Sequence, residues 1–435
     1  MLNESDYEKI CLKLSSETLD LVKLLKKGQK RAFFEILDWA LFKPFGASPA
    51  YILEGYAGTG KTFLMKTLSL ALPKVALTAT TNKAAKELRR QTNAEKATTI
   101  YSLLGLRMEA KEDSLELKES RGLKNDILKH RFVILDEAGL VSKKLIPYLT
   151  KAMSMGVRFI FVGDRKQVPP VGERISQIWD AYPTVKLKKV LRHDNEILEL
   201  ATQVRRKSLP QIKWQSKNSN SEGVWCLGTE SFTRKLKKYA SMGFFKTGKA
   251  KAIAWRNKTN DELNRIIRFE MFGDKIFESK YLKDDQVVFT SPYNITQYIQ
   301  AYIDDDGRIL NVEVGEHPTY KFKCYFLTIQ LDIGKHIVRA LHEDSDSEFE
   351  SLLVAAAENA RQSNKKEDWF EFWNIKNSVA QLKYSHAITV HRAQGSTYDF
   401  VFAKVSDILQ NTNDDEAKMC LYSALTRPSK RLFIN

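Results

Sequence analysis

Cysteine is scarce in this sequence, and its four copies, Cys11, Cys226, Cys324 and Cys420, form no CxxC pair and no cluster with histidine at metal-ligand spacing. That excludes a disulfide scaffold and a zinc module, and the thiols are expected to be reduced and buried. Long apolar runs are missing as well. The longest, residues 352–357, falls far short of the roughly 20 residues needed to cross a bilayer, so no membrane contact is expected. The opening MLNESDYEKI carries Glu4, Asp6 and Glu8 with no apolar stretch behind them, so no secretory leader is expected and a cytoplasmic location is. Acidic residues are the minority: 53 Asp and Glu face 69 Lys and Arg, a net charge of +16. Such an excess attracts polyanions, nucleic acid first among them, although a basic enzyme with incidental charge would look the same by composition.

What is present is ordinary globular material. The 435 residues, 43% hydrophobic and 28% charged, allow about three domains at roughly 150 residues each and rule out disorder, collagen-like repeats and a coiled-coil rod. Residues 1–45 repeat apolar positions at intervals of three and four and predict helix. Short apolar runs then alternate with helical patterns: 51–53, 75–80, 132–136, 159–163 and 185–190. This alternation predicts a parallel sheet with helices on its faces. A second set begins at 252–255 with a helix over 257–272 and resumes at 386–390, 400–405, 417–425 and 432–434. The fold class is therefore α/β with two cores, the second interrupted. The interruption, 275–380, holds β-rich runs and an apolar helix near 349–360, which suggests a small barrel with a helix. Its Asp304-Asp305-Asp306-Gly307 lacks calcium-loop spacing and reads as a hairpin turn.

The chemistry concentrates at strand ends. Gly55-Tyr56-Ala57-Gly58-Thr59-Gly60-Lys61-Thr62 fits G-x-x-x-x-G-K-[ST] directly between an apolar strand and a helix. The candidate phosphate contacts are the backbone groups of Gly55, Ala57, Gly58, Thr59 and Gly60, reinforced by the helix dipole. Lys61 would neutralise the β and γ phosphates of ATP, and Thr62 would bind Mg²⁺. A glycine-rich turn without a ligand has no need of Lys and Thr at these positions. The strand 132–136 ends in Asp136-Glu137: Asp136 is expected to hold Mg²⁺ and Glu137 to orient and deprotonate the attacking water. A third strand ends in GDRKQVPPVG, whose Gln167 could touch both the γ-phosphate and the water; without the other two motifs it would be merely a proline-containing loop.

Together these residues resemble a superfamily 1 helicase. The phosphate loop resembles motif I, LDEAG motif II and GDRKQVPPVG motif III. Gly28-Gln29 looks like the Q motif, whose glutamine reads adenine. TATTNKAA (78–85) resembles motif Ia and TTIYSL (98–103) motif Ib. YSHAITVHRAQGS (384–396) resembles motif V and LYSALTR (421–427) motif VI. The T-V-H-x-A-Q-G form is similar to the RecD and Dda-like branch, superfamily 1B. Two departures stand out: Gly139 where a Ser is usual, and Arg392 where a Lys is usual. Neither removes a group needed for hydrolysis.

The resemblance implies two RecA-like motor domains, 1–190 and 191–274 plus 381–435. It also implies a pin-like hairpin insertion at about 104–128 and a β-rich, SH3-like insertion over 275–380. Arg192, by resemblance to motif IV, and Arg427 would reach the γ-phosphate. Thr80, Asn82, Lys83, Thr99 and Ser102 of the first core, with Asn257, Lys258, Thr389 and His391 of the second, would grip a strand through phosphate and sugar. Trp255 and the Trp369, Phe370 and Trp373 group could stack bases, although aromatics at that helical spacing are more often core. The hairpin would split a duplex, or be decorative; it has no aromatic between Leu106 and Leu123. The implied activity is ATP-dependent 5′ to 3′ translocation on single-stranded DNA with unwinding of forked duplex DNA. A monomer is expected, with single-strand-binding, replication or recombination proteins as candidate partners. Two alternatives remain: a strand-stimulated NTPase that remodels protein–DNA complexes, and a P-loop enzyme acting on a small molecule.

Overall fold

The computed structural model describes residues 4–111, 114–119, 126–170, 172–191, 196–219, 222–296, 299–363 and 365–435. By contact the chain divides into two compact units. One takes Met1–Ile212 together with Asn413–Thr426, and the other takes Lys213–Thr412 with Arg427–Asn435.

In the first unit the expected N-terminal helix is three helices, Glu4–Cys11, Ser16–Leu24 and Lys27–Phe42. Ser15 starts the second by accepting the Thr18 N–H. The strands follow as β1 (Ala50–Gly55), β2 (Val75–Ala79), β3 (Thr98–Thr99), β4 (Leu106–Lys111), β5 (Ser114–Glu119), β6 (Phe132–Asp136), β7 (Arg158–Gly163) and β8 (Thr184–Leu187). Six of them form one parallel sheet in the order β3-β2-β6-β7-β1-β8. Its central strands are continuous apolar runs because both faces are covered: Phe132, Val133, Ile134 and Leu135, like Phe159, Ile160, Phe161 and Val162, are fully buried. The remaining two strands, β4 and β5, pair as an antiparallel hairpin at the predicted pin.

The second unit contains β9 (Lys217–Asn218), β10 (Gly223–Cys226), β11 (Ala250–Ala254), β12 (Gln286–Phe289), β13 (Tyr293–Asn294), β14 (Gln300–Ala301), β15 (Asp306–Glu316), β16 (Lys323–Leu331), β17 (Gly334–Leu341), β18 (Leu382–Tyr384), β19 (Ala387–Thr389), β20 (Tyr398–Ala403) and β21 (Pro428–Ile434). One sheet runs β19-β11-β20-β21-β10-β9, parallel except at β9. The other, β17-β16-β15-β12-β18, is antiparallel and is the interruption foreseen in the sequence. Its last strand reaches Tyr384, past the expected end at 380. A buried polar joint ties it to the parallel sheet: Arg268 donates to both oxygens of Asp285 (2.8 and 2.9 Å), and the Gln286 N–H donates to Nε2 of His386 at 3.3 Å.

Helices Glu196–Arg206 and Asp414–Leu425 pack on each other within the first unit, the former burying Ile197, Leu200, Ala201 and Val204. One expectation changes. Of the four free thiols only Cys324 and Cys420 are buried, while Cys11 and Cys226 are partly exposed.

Candidate active site

The phosphate loop leaves β1 between its two sheet neighbours, β7 and β8. Gly58 (φ 76°) and Gly60 (φ 75°) are left-handed, which turns the loop into the helix Lys61–Ala71. Gly55 cannot carry a side chain, since a Cβ there would lie 2.8 Å from Thr59 Oγ1 and 3.2 Å from Leu187 Cβ. Lys61 Nζ lies inside the loop and donates to the carbonyls of Gly55 (2.8 Å) and Tyr56 (3.2 Å); Thr62 follows it on the first helical turn. Gln29, 5% exposed, braces the loop from below: its Nε2 donates to the carbonyls of Thr59 and Gly60, both at 3.2 Å, and its Oε1 accepts the Lys26 N–H. The residue expected to read adenine therefore spends its amide on the loop itself.

Asp136 ends β6, next to β7, and Glu137 follows in the left-handed region at φ 50°, an uncommon place for a residue with a side chain. Burial and the neighbouring Glu137 carboxylate push the Asp136 carboxyl up to about 7, against the pull of Lys61. Two adjacent carboxyl groups, together with the hydroxyl of Thr62 on the first turn of the helix Lys61–Ala71, are hard oxygen donors of the kind magnesium takes, so the residues present fit that ion. Gln167 is buried on the loop after β7, and its N–H donates to the Asp164 carbonyl at 3.1 Å.

The strand-facing residues divide by unit. At the C-terminal edge of the first sheet, Ala79 pairs in register with both Asp136 and Thr99, so the ends of β3, β2 and β6 lie side by side. Thr80 is buried there, and its hydroxyl has no hydrogen-bond partner among the described residues. Asn82 and Lys83 start the helix Asn82–Thr92, which Thr81 caps. Thr99 itself caps the helix Ile100–Leu103 by accepting the Ser102 N–H at 3.1 Å. In the second unit Ala254 pairs with Thr389, which places the ends of β11 and β19 together. Asn257 and Lys258 are exposed on the first turn of the helix Asn257–Phe272, and His391 lies on the short helix that Thr389 caps. Arg427 is buried, with Nη1 donating to the Ser396 carbonyl at 3.3 Å. The Arg392 departure is matched by an ion pair with Asp304 at 3.2 Å. Trp255, Trp369 and Trp373 are half-buried and Phe370 is 67% exposed. Arg192 lies outside the described residues.

Four further positions hold dense polar networks: Asp164 and Tyr422, which lie inside the segments GDRKQVPPVG and LYSALTR without a role read for them there, and Arg205 and Asp407, which lie in no quoted motif. Asp164 accepts Arg205 Nη1 at 2.7 Å and the Tyr422 hydroxyl at 2.8 Å. Asp407 accepts the N–H groups of Trp255 (2.8 Å) and Arg256 (3.0 Å), Arg256 Nε (2.7 Å) and the Thr259 hydroxyl (2.6 Å), and so fixes the start of the helix bearing Asn257 and Lys258. Its signal in the sequence is slight, one acid in the run KVSDILQ.

Residues 39–222 match the family model of an AAA domain and residues 384–434 that of the UvrD-like helicase C-terminal domain. The ATP-dependent DNA helicase dda of Enterobacteria phage T4 is 25% identical, over 93% of this chain and 97% of that protein. The RecBCD enzyme subunit RecD of Buchnera aphidicola is 23% identical, over 88% of this chain and 69% of that one. Among solved structures, a Pif1 helicase from work on unwinding at forked double-stranded DNA has a TM-score of 0.54 at 16% identity, covering 94% of this chain and 92% of that one. The Pif1 helicase from Candida albicans has 0.51 at 14%, covering 94% of each. These two likenesses show the fold.

Proposed function

Since the chain belongs to the superfamily 1B ATP-dependent DNA helicases of the RecD and Dda-like type, we propose that it translocates 5′ to 3′ along single-stranded DNA and, as a monomer, displaces the complementary strand of a forked duplex. The observation that carries this reading is the shared edge of the first sheet. The phosphate loop leaves β1, the carboxylates leave β6, and the polar residues Thr80, Asn82, Lys83, Thr99 and Ser102 gather at β2 and β3. Nucleotide chemistry and strand contact thus share one rigid scaffold.

In this reading the loop amides and Lys61 hold the phosphates of ATP. Thr62 and Asp136 would hold magnesium, which would supply neutralising charge for the phosphates. Glu137 takes the proton of the attacking water, and Gln167 positions that water against the γ-phosphate. Gln29 keeps the loop in shape beneath the nucleotide. Arg192 and Arg427 are the proposed cations for charge developing on the γ-phosphate, a contribution worth about 10³ to 10⁵ in rate where such arginines act. The two parallel sheets are the proposed motor domains, and β12–β18 is an insertion in the second. In that second unit Asn257, Lys258, Thr389 and His391 provide the other grip on the strand.

Duplexes with a single-stranded tail on one side only test the reading. A 5′ tail should support ATP-dependent strand release and a 3′ tail should not. The reverse pattern would refute the polarity, and strand-stimulated hydrolysis without release from either substrate would favour a remodelling NTPase.

A further inference from the structure

We propose that Tyr422, Asp164 and Arg205 are positioning residues for ATP turnover, a buried latch that holds the phosphate loop and the Gln167 loop in one register. The proposal rests on the ATPase reading above and adds a part that motif spacing does not assign. A single oxygen makes the link. The Tyr422 hydroxyl donates to Asp164 Oδ2 at 2.8 Å and accepts the Ala57 N–H of the phosphate loop at 3.1 Å. It thereby joins two loops that leave the neighbouring strands β1 and β7.

Asp164 is satisfied on every side. Its Oδ1 takes Arg205 Nη1 at 2.7 Å and the Lys166 N–H at 3.1 Å, and its carbonyl takes the Gln167 N–H at 3.1 Å. The next residue of the same helix repeats the tie, because the Val168 N–H donates to the Ser423 hydroxyl at 3.1 Å. Gln167 therefore lies close to one anchored residue and adjacent to another, both held by Tyr422 and Ser423. Arg205 closes the circuit with its guanidinium 3.4 Å over the ring of Tyr56, on the phosphate loop. Burial and the Asp164 carboxylate push the Tyr422 hydroxyl far above the usual tyrosine range, so it stays a neutral donor. A buried ion pair gains little net stability over apolar packing, whereas a fully satisfied polar network fixes geometry. Here the geometry it fixes is that of the two loops that handle the phosphates and the water.

Tyr422→Phe removes that one oxygen and keeps the ring. Its kcat for single-strand-stimulated ATP hydrolysis should fall about tenfold, while KM for ATP stays within about twofold and the melting temperature falls by no more than about 5 °C, leaving the protein folded at the assay temperature. Asp164→Asn should lower kcat in the same way, and the double variant should fall no further than the worse single, because both break one link. If Asp164→Asn does not fold, the kcat against KM split of Tyr422→Phe decides alone. Turnover of Tyr422→Phe within about twofold of the unsubstituted protein would overturn the latch. So would a kcat loss matched by a rise in KM, a loss explained by unfolding at the assay temperature, or multiplicative losses in the double variant. An unsubstituted protein that hydrolyses no ATP would overturn the ATPase reading itself, a result the same assay separates from the others.

Discussion

Asp136 occupies a position that disfavours its own charge. Its carboxyl rises from 3.8 to about 7 because burial and the Glu137 carboxylate both oppose ionisation. A carboxyl raised in the folded state binds its proton more tightly there than in the unfolded chain. Its contribution to stability is therefore greatest below about pH 4 and is lost as pH rises toward 7. Asp136→Asn should accordingly melt at the same temperature or a few degrees higher at pH 8, converge with the unsubstituted protein at pH 4, and lose at least about a hundredfold in ATP turnover at either pH where turnover is measurable. Thermal melts at the two pH values, with hydrolysis assays, check this. Asp136 and Lys61 were legible in the sequence because each closes a motif whose flanking strand is also visible. Arg205 was not, and neither was the part played by Asp164 within GDRKQVPPVG, since their shared partner Tyr422 arrives from a distant part of the chain.

At the scale of an element, the helix Asn257–Phe272 depends on one side chain outside it. Asp407 accepts two backbone N–H groups at its start, and those bonds together with the one from the Thr259 hydroxyl outweigh burial, holding the carboxyl below its usual range. That contribution is present above about pH 4 and is lost as pH falls through the lowered value. Asp407→Ala should destabilise the protein by about 3 kcal/mol, since it leaves several buried donors unpaired, and should weaken single-strand binding through Asn257 and Lys258. Denaturant melts and fluorescence anisotropy with a labelled oligonucleotide measure both effects. Neither loss would occur if the helix start were held by its own residues. Element identity was largely legible here, because buried parallel strands read as unbroken apolar runs and amphipathic helices as three-four repeats. The membership of helix Asp414–Leu425 was not. It directly precedes β21 of the second unit, so chain proximity argued for that unit, while its apolar face and Tyr422 pack on the first.

For the whole molecule, the charge of +16 finds its use in a polyanion. Affinity for single strands should fall with salt along a log–log line whose slope is about −0.7 for each phosphate contacted, and a flat titration would contradict backbone tracking. The first unit is also discontinuous, taking Met1–Ile212 and then Asn413–Thr426 from beyond the second. On the ribosome, every residue of 213–412 must be synthesised before Tyr422 emerges to meet Ala57 and Asp164. A nascent chain therefore displays a phosphate loop well before it possesses the helix that steadies it, and both units wait for segments from the far end of the chain, Asn413–Thr426 for the first and Arg427–Asn435 for the second.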